Sequence, residues 1–208
     1  DELDRYMAGE YGIRVDKQKD LDGWKASHQP FHWFVEFYGI MHAGGFDVII
    51  GNPPYVEVKS RGPYAVRDYK SLSARDLYAY ILERALNLSS HGTRLGFIVP
   101  LSCFNVERFS SLQDEYFRAN DALWISSWSG DAHPARLFEG VDKRLQIVIT
   151  RKQEDKDVRV WASCYRKWYT QERQHLFNIA PRFLELTPAR QRMYFPSSLP
   201  KIDQLCEF

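Results

Sequence analysis

The sequence predicts an α/β fold, a mostly parallel sheet with helices on both faces, and three observations carry that prediction. Short apolar runs lie at Phe46–Ile50, Leu95–Val99, Leu123–Trp128 and Leu145–Thr150; stretches with apolar residues at helical spacing separate the first three, and a loop containing Phe138, Gly140 and Val141 precedes the fourth. The first run is continuously apolar after Asp47 and rich in β-branched residues, the pattern of a buried parallel strand. It stops abruptly at Gly51, and the second stops at Pro100, as strands do where they open into loops.

Residues 1 to about 30 are polar and mixed in charge, which predicts a solvated connector or helix remnant. Phe31 to Tyr38 alternates loosely between bulky and polar residues, as a short strand or arm would, before Gly44 and Gly45 break the chain. After the first strand, residues 57–72 read as a long surface loop. Ser73 and Asp76 form a capping-box signature, and Leu77, Ile81, Ala85 and Leu88 predict an amphipathic helix that closes at Gly92. A second helix is expected from about Val106 to Phe117 behind an Asn105 cap. Val158 to Trp161 reads as a further strand, and about Tyr165 to Asn178 as a helix. Pro181, Pro188, Pro196 and Pro200 then punctuate an irregular linker.

Composition narrows the function classes. At 208 residues and 44% hydrophobic content the chain can bury one sizeable core with an appendage. A net charge of +1 neither demands nor excludes a nucleic-acid partner. Cys103, Cys164 and Cys206 lie far apart with no CxxC pair, and the histidines show no HxxxH spacing, so no metal site is expected. No apolar run approaches the roughly 18 to 20 residues that span a bilayer, so no membrane partner and a cytoplasmic location are expected. Most of the six tryptophans are expected in the core.

The chemistry concentrates at Asn52, Pro53, Pro54 and Tyr55, directly after the first strand. Two prolines fix φ and remove two backbone donors, leaving a rigid loop of outward acceptors. The two hydrogens of an exocyclic amine such as adenine N6 match the Asn52 side-chain oxygen and the Pro53 carbonyl. Tyr55 offers a flat face for a base taken out of the stack. Transfer to such an amine rests on positioning and electrostatics, so no catalytic aspartate or histidine is assigned. Taken alone, four such residues also describe an ordinary turn; their place after a strand in an α/β pattern is what points to a site.

FDVIIGNPPYVEV (46–58) resembles the fourth motif of amino-methyltransferases, residues 76–100 their fifth and sixth, and LFEGVDKRLQIVIT (137–150) their eighth. FHWFVEFYGIMHAGGFD (31–47) and WYTQERQHLF (168–177) are similar to the corresponding stretches of type IIG restriction-modification enzymes and phage-defence methylases. Over about residues 31 to 202 the chain thus resembles the gamma-type DNA adenine-N6 methyltransferases, and the resemblance implies a partial Rossmann-like methyltransferase sheet. It further implies that Asn52 and Pro53 hold the target amine, that Tyr55 and Phe138 stack on opposite faces of the flipped base, and that Asp76 and Tyr78 lie near the pocket floor. A core or loop-anchoring ring is the alternative for Phe138, and a helix cap alone accounts for Asp76.

Enzymes of that kind bind S-adenosylmethionine through a glycine turn and an acidic residue upstream of NPPY. The residues before Asn52 supply neither, being too few for strand–helix units of ~30 residues each. The sheet is therefore expected to lack its first strand–helix units, the cofactor-binding residues stay unassigned, and the chain reads as a fragment, split subunit or truncated product. Residues 1–30 are expected to connect to a missing amino-terminal part, 31–163 to form the catalytic half, and 164–208 to lead toward a missing target-recognition domain. The implied partners are double-stranded DNA and those missing parts, with Lys59, Arg61, Arg67, Lys70 and Arg75 placed for phosphate contact or for plain solvation. A protein glutamine methyltransferase, which uses a similar loop on a side-chain amide, and a non-catalytic DNA- or partner-binding remnant are the competing readings.

Overall fold

A computed structural model describes residues 2–58, 66–130, 136–138, 140–154, 156–175 and 183–186. The chain forms two compact units, one ending at Gly45 and the other beginning at Phe46. In the first, where the sequence predicts a solvated connector or helix remnant, two helices form, α1 (Glu2–Glu10) and α2 (Gln18–His28). Ala8, Leu21 and Trp24 are their buried residues, with Tyr11, Ile13 and Val15 packed alongside. So small a core hides in a polar sequence. Asp4 accepts hydrogen bonds from Lys25 and His32 at 2.8 Å each, tying α1 to α2 and to the segment beyond. The stretch expected as a strand or arm is instead two short helices, α3 (Trp33–Glu36) and α4 (Tyr38–His42). Trp33 and Phe37, a helical turn apart, stack at 5.6 Å, a contact that a strand, holding residues four apart at roughly 13 Å, could not make.

The second unit is a six-stranded sheet in the order β1 (Phe46–Gly51), β2 (Ser89–Pro100), β4 (Leu145–Lys152), β3 (Asn120–Trp128), β5 (Arg159–Ser163), β6 (Phe183–Glu185). β1, β2, β3 and β5 share one direction, and β4 and β6 run against them, so the sheet is mixed but mostly parallel. Two crossover helices, α5 (Leu77–Asn87) and α6 (Ser110–Ala119), connect β1 to β2 and β2 to β3. Their Leu82, Leu86, Leu112 and Tyr116 pack on Leu95, Phe97, Val99, Leu123, Ile125 and Val148, which form the core with one face of the sheet.

Several local expectations change. β1 is a parallel strand as predicted but is not buried, because it lies at the sheet edge with Val48 and Ile50 exposed. The Ser73–Asp76 capping box does not form: Ser73 bonds the Arg108 carbonyl, and the Asp76 carboxylate pairs with Arg108. α5 ends at Asn87, before Gly92, because β2 already begins at Ser89. Asn105 does not cap α6; its side-chain oxygen accepts from Gln146, its backbone N–H closes the 3-10 helix at Leu101–Phe104, and α6 starts at Ser110 after a 3-10 turn at Glu107–Phe109. In place of a helix from Tyr165, the end of β3 captures the chain: Ser127 and Ser129 exchange backbone bonds with Arg166 at 2.9 and 2.8 Å. Trp168 then buries fully and donates to the Ser129 carbonyl, leaving only a 3-10 helix at Thr170–His175. The predicted linker contains β6; residues 187–208 and Cys206 lie outside the described residues. Trp24, Trp128 and Trp168 are core tryptophans, whereas Trp33, Trp124 and Trp161 are half-buried, so half of the six rather than most lie in the core.

Candidate active site

The site begins where β1 stops. A Cβ on Gly51 would meet the Phe97 ring at 3.3 Å, so glycine lets the strand end close against β2. Asn52 and Pro54 are then exposed, Pro53 is buried, and Tyr55 is half-buried. The alternation follows from the rigid Pro-Pro step, which turns successive residues toward and away from the core.

Tyr55 sets the geometry. Its hydroxyl lies 2.6 Å from Asn52 Oδ1 and 3.1 Å from the Ile98 carbonyl oxygen on β2. Its ring packs on the main core and meets Tyr78 edge-on, centroids 6.2 Å apart at 89°. Partial burial pushes the Tyr55 hydroxyl up to about 12, so it is a neutral donor at ordinary pH.

Behind Tyr55 lies an aromatic support. Tyr78 is 2% exposed, stacks on Phe109 at 5.5 Å, and its hydroxyl shares a hydrogen bond with Ser102 at 3.1 Å. The Arg108 guanidinium sits 4.9 Å over Phe109 and pairs with Asp76. Burial raises the Asp76 carboxyl above its ordinary value, and the Arg108 charge opposes that shift. The segment after the motif is stitched to the start of α5: Leu77 N–H donates to the Val56 carbonyl at 2.9 Å, and Val58 N–H to Arg75 at 2.8 Å. Further on, Glu83 of α5 accepts the backbone N–H groups of Lys70 and Ser71, at 2.9 Å each, capping a 3-10 turn at Lys70–Ala74.

Asn52, Pro53, Pro54 and Tyr55 thus share the carboxyl end of β1. Asp76 and Tyr78 lie nearby and both are buried and engaged: Tyr78 meets the Tyr55 ring edge-on, and Asp76 pairs with Arg108. Phe138 is half-buried between β3 and β4, its carbonyl accepting from Val141, and among the described residues its ring does not meet that of Tyr55. Ser102, Arg108 and Phe109 are supports missed in the sequence, although Ser102, just past the carboxyl end of β2, had a positional signal. Of the five basic residues, Lys59 and Arg61 lie outside the described residues, and Lys70 is held by both oxygens of Glu115 at 2.9 Å.

The arrangement offers an exposed amide oxygen next to a half-exposed ring, both suited to an amine on a planar ligand. Among the described residues it offers no glycine turn of the kind that nests an adenosine-bearing cofactor. Gly12, Gly44, Gly45, Gly92 and Gly140 have positive φ, but none follows a strand and opens a helix. Among the described residues, no group of three or more His, Cys, Asp or Glu is placed to hold a metal ion. No described helix is long and apolar enough to cross a membrane.

Residues 8–130 match the family described as Eco57I restriction-modification methylase. Over 89 residues, 43% of the chain, it is 35% identical to a candidate type II restriction enzyme and methyltransferase of Methanocaldococcus jannaschii. Over 113 residues, 49% of the chain, it is 28% identical to a type II methyltransferase of Thermus thermophilus. The chain spans 8% and 26% of those relatives' lengths. A nuclease-deletion mutant of the type ISP restriction-modification enzyme LlaGI, solved with a DNA substrate mimic, shares the fold at TM-score 0.59 and 16% identity. That match covers 75% of this chain and 18% of the other.

Proposed function

The chain belongs to the Eco57I restriction-modification methylase family, and from that premise we propose that it is the base-handling part of a DNA methyltransferase acting on adenine N6. The observation that carries the reading is Asn52 standing exposed at the end of β1 beside the half-exposed Tyr55 ring. In a duplex the N6 amine is paired, so the adenine is turned out of the stack before its amine reaches Asn52. Its two hydrogens go to Asn52 Oδ1 and the Pro53 carbonyl, and its ring lies against Tyr55. Double-stranded DNA is the substrate, and Phe138 is the candidate second face of the base pocket.

S-adenosylmethionine is the methyl donor assigned to the complete enzyme. The described residues do not fit it, so further parts of a methylase must hold it, and a target-recognition part reads the DNA sequence. The proposed division keeps 1–30 as connector, built as two helices within the unit that ends at Gly45, 31–163 as catalytic half and 164–208 as link to that recognition part. A cytoplasmic location follows from DNA as the substrate.

The test supplies the chain with the remainder of a family methylase and radiolabelled methyl donor, and offers duplex DNA and a glutamine-bearing peptide together. Label in N6-methyladenine, lost in Asn52→Ala, is the expected result. Label on the peptide glutamine, or on cytosine, would overturn it.

A further inference from the structure

The stretch after β5 folds into a hook over the end of β3. Arg166 exchanges backbone hydrogen bonds with Ser127 and Ser129, and Trp168 is then fully buried, its indole N–H donating to the Ser129 carbonyl at 3.1 Å. Beyond it the chain turns back as the 3-10 helix at Thr170–His175. Glu172 closes that turn, its carboxylate accepting the Tyr169 backbone N–H at 2.8 Å.

The connection from β3 to β4 leaves and returns through one narrow neck. A Cβ on Gly130 would fall 1.5 Å from the Lys143 carbonyl oxygen, so glycine is what lets the two ends close. Within the connection Arg136 pairs with Asp142, its Nη2 donating at 3.0 Å, but both side chains are exposed and such a pair adds little in water. The firmer anchor is Leu137, which packs against the cluster of Trp128 and Trp168. The hook adds a second hold. Arg173 lies 5.4 Å from the centroid of the Trp168 ring and donates from Nη2 to the Arg136 carbonyl at 2.8 Å. Phe138 comes next in the chain; it is half-buried and joins none of the apolar clusters among the described residues. Its backbone is therefore placed by Leu137, one Cα step of about 3.8 Å away.

We infer that Trp168 and Arg173 are positioning residues for Phe138: Trp168 holds the Leu137 side chain, Arg173 holds the Arg136 carbonyl, and together they fix where the Phe138 ring meets a base. The inference rests on the proposed function for what Phe138 touches, whereas the grip on Arg136 and Leu137 stands apart from it. Burial divides the labour between the two residues. Trp168 belongs to a core cluster, so its removal disturbs the fold as well as the connection. Arg173 is exposed, so its removal frees the connection and leaves the core packed. An aromatic face stacked on an unpaired base strengthens binding roughly tenfold to a hundredfold, and a ring free to swing away forfeits part of that factor.

The chain alone tests the hold, and the completed enzyme tests its use. The Val141 N–H donates to the Phe138 carbonyl at 3.2 Å, so its exchange with solvent reports on the connection. In the chain, Arg173→Ala is expected to speed that exchange about fivefold or more while β3 and β4 amides and the Tm stay unchanged. Arg173→Lys, which can still donate to the Arg136 carbonyl, restores most of the slowing. Unchanged Val141 exchange in Arg173→Ala overturns the inference. For the second arm, the chain is completed with the remainder of a family methylase and given a duplex in which 2-aminopurine replaces the target adenine. Stacked rings quench the emission of that base, so it should brighten in Phe138→Ala and, by about twofold or more, in Arg173→Ala. In the Phe138→Ala background Arg173→Ala should add nothing, because the ring it positions is gone. An Arg173 effect that persists there reflects another role and overturns the inference. A Phe138→Ala enzyme with the parent's emission and methylation, when Val141 exchange does respond to Arg173→Ala, refutes instead the place of Phe138 in the proposed function, and with it the use of the hold.

Discussion

The Tyr55 hydroxyl carries one proton and stands between two acceptors, Asn52 Oδ1 at 2.6 Å and the Ile98 carbonyl at 3.1 Å. Rotation about a single C–O bond is enough to move that proton from Asn52 to Ile98. The oxygen assigned to the target amine can therefore be released without moving a side chain. Tyr55→Phe keeps the ring and removes the donor. It should cost about 1 kcal/mol of stability in urea unfolding, the usual net value of one hydrogen bond. Methylation by the completed enzyme should survive it and be lost in Tyr55→Ala.

The same hydroxyl makes an alkaline prediction. Its folded value, about 12, lies above the ordinary 10.0, so the folded state holds the proton more tightly. That contribution is complete below about pH 10 and is lost as pH rises toward 12. Tyr78 is also raised by burial and acts in the same direction. Urea midpoints should be flat to about pH 10 and then fall, and the fall should shrink in Tyr55→Phe.

Asp4 works at the acid end. Hydrogen bonds from Lys25 and then His32 lower its carboxyl to about 2 from 3.8. A depressed carboxylate stabilises the fold above its unfolded value and ceases to as pH falls through the folded one. The amino-terminal helices should therefore lose stability between about pH 4 and 2. Asp4→Asn should remove that dependence, as followed by the fluorescence of buried Trp24.

Glu83 is a structural carboxylate rather than a reactive one. Glu83→Ala strips the backbone N–H groups of Lys70 and Ser71 of their acceptor and should destabilise the chain by about 1–3 kcal/mol. Glu83→Gln keeps one acceptor and should fall between. Limited proteolysis of the segment before α5 should accelerate in the same order.

Tyr78 separates support from substrate contact. Tyr78→Phe loses the bond to Ser102, about 1 kcal/mol, and keeps the wall behind Tyr55. Tyr78→Ala opens a cavity and should cost about 3–5 kcal/mol. If Tyr78 touched the base instead, the phenylalanine variant would change KM for DNA.

What the sequence reveals and what it hides divide along contact range. Asn52 to Tyr55 is legible because the strand, its stop and the two prolines are neighbours in the chain. The support behind them joins Tyr55, Tyr78 and Phe109, segments with no local signature of their meeting. Asn105 looks like a helix cap until Gln146, 41 residues on, takes its oxygen. Tyr165 to Asn178 looks helical until Ser129, at the end of β3, captures Trp168. β1 reads as buried because apolar content records what a strand tolerates, not what covers it.

The backbone stitches Leu77 to Val56 and Val58 to Arg75 have a consequence for variation among relatives. They clasp the two ends of the intervening stretch together just past the motif. Its length can then grow or shrink while Asn52 stays in place, each doubling adding only about 0.6 kcal/mol of closure entropy. Variation in the length of the stretch between Val58 and Arg75 is thus insulated from the site by the clasp.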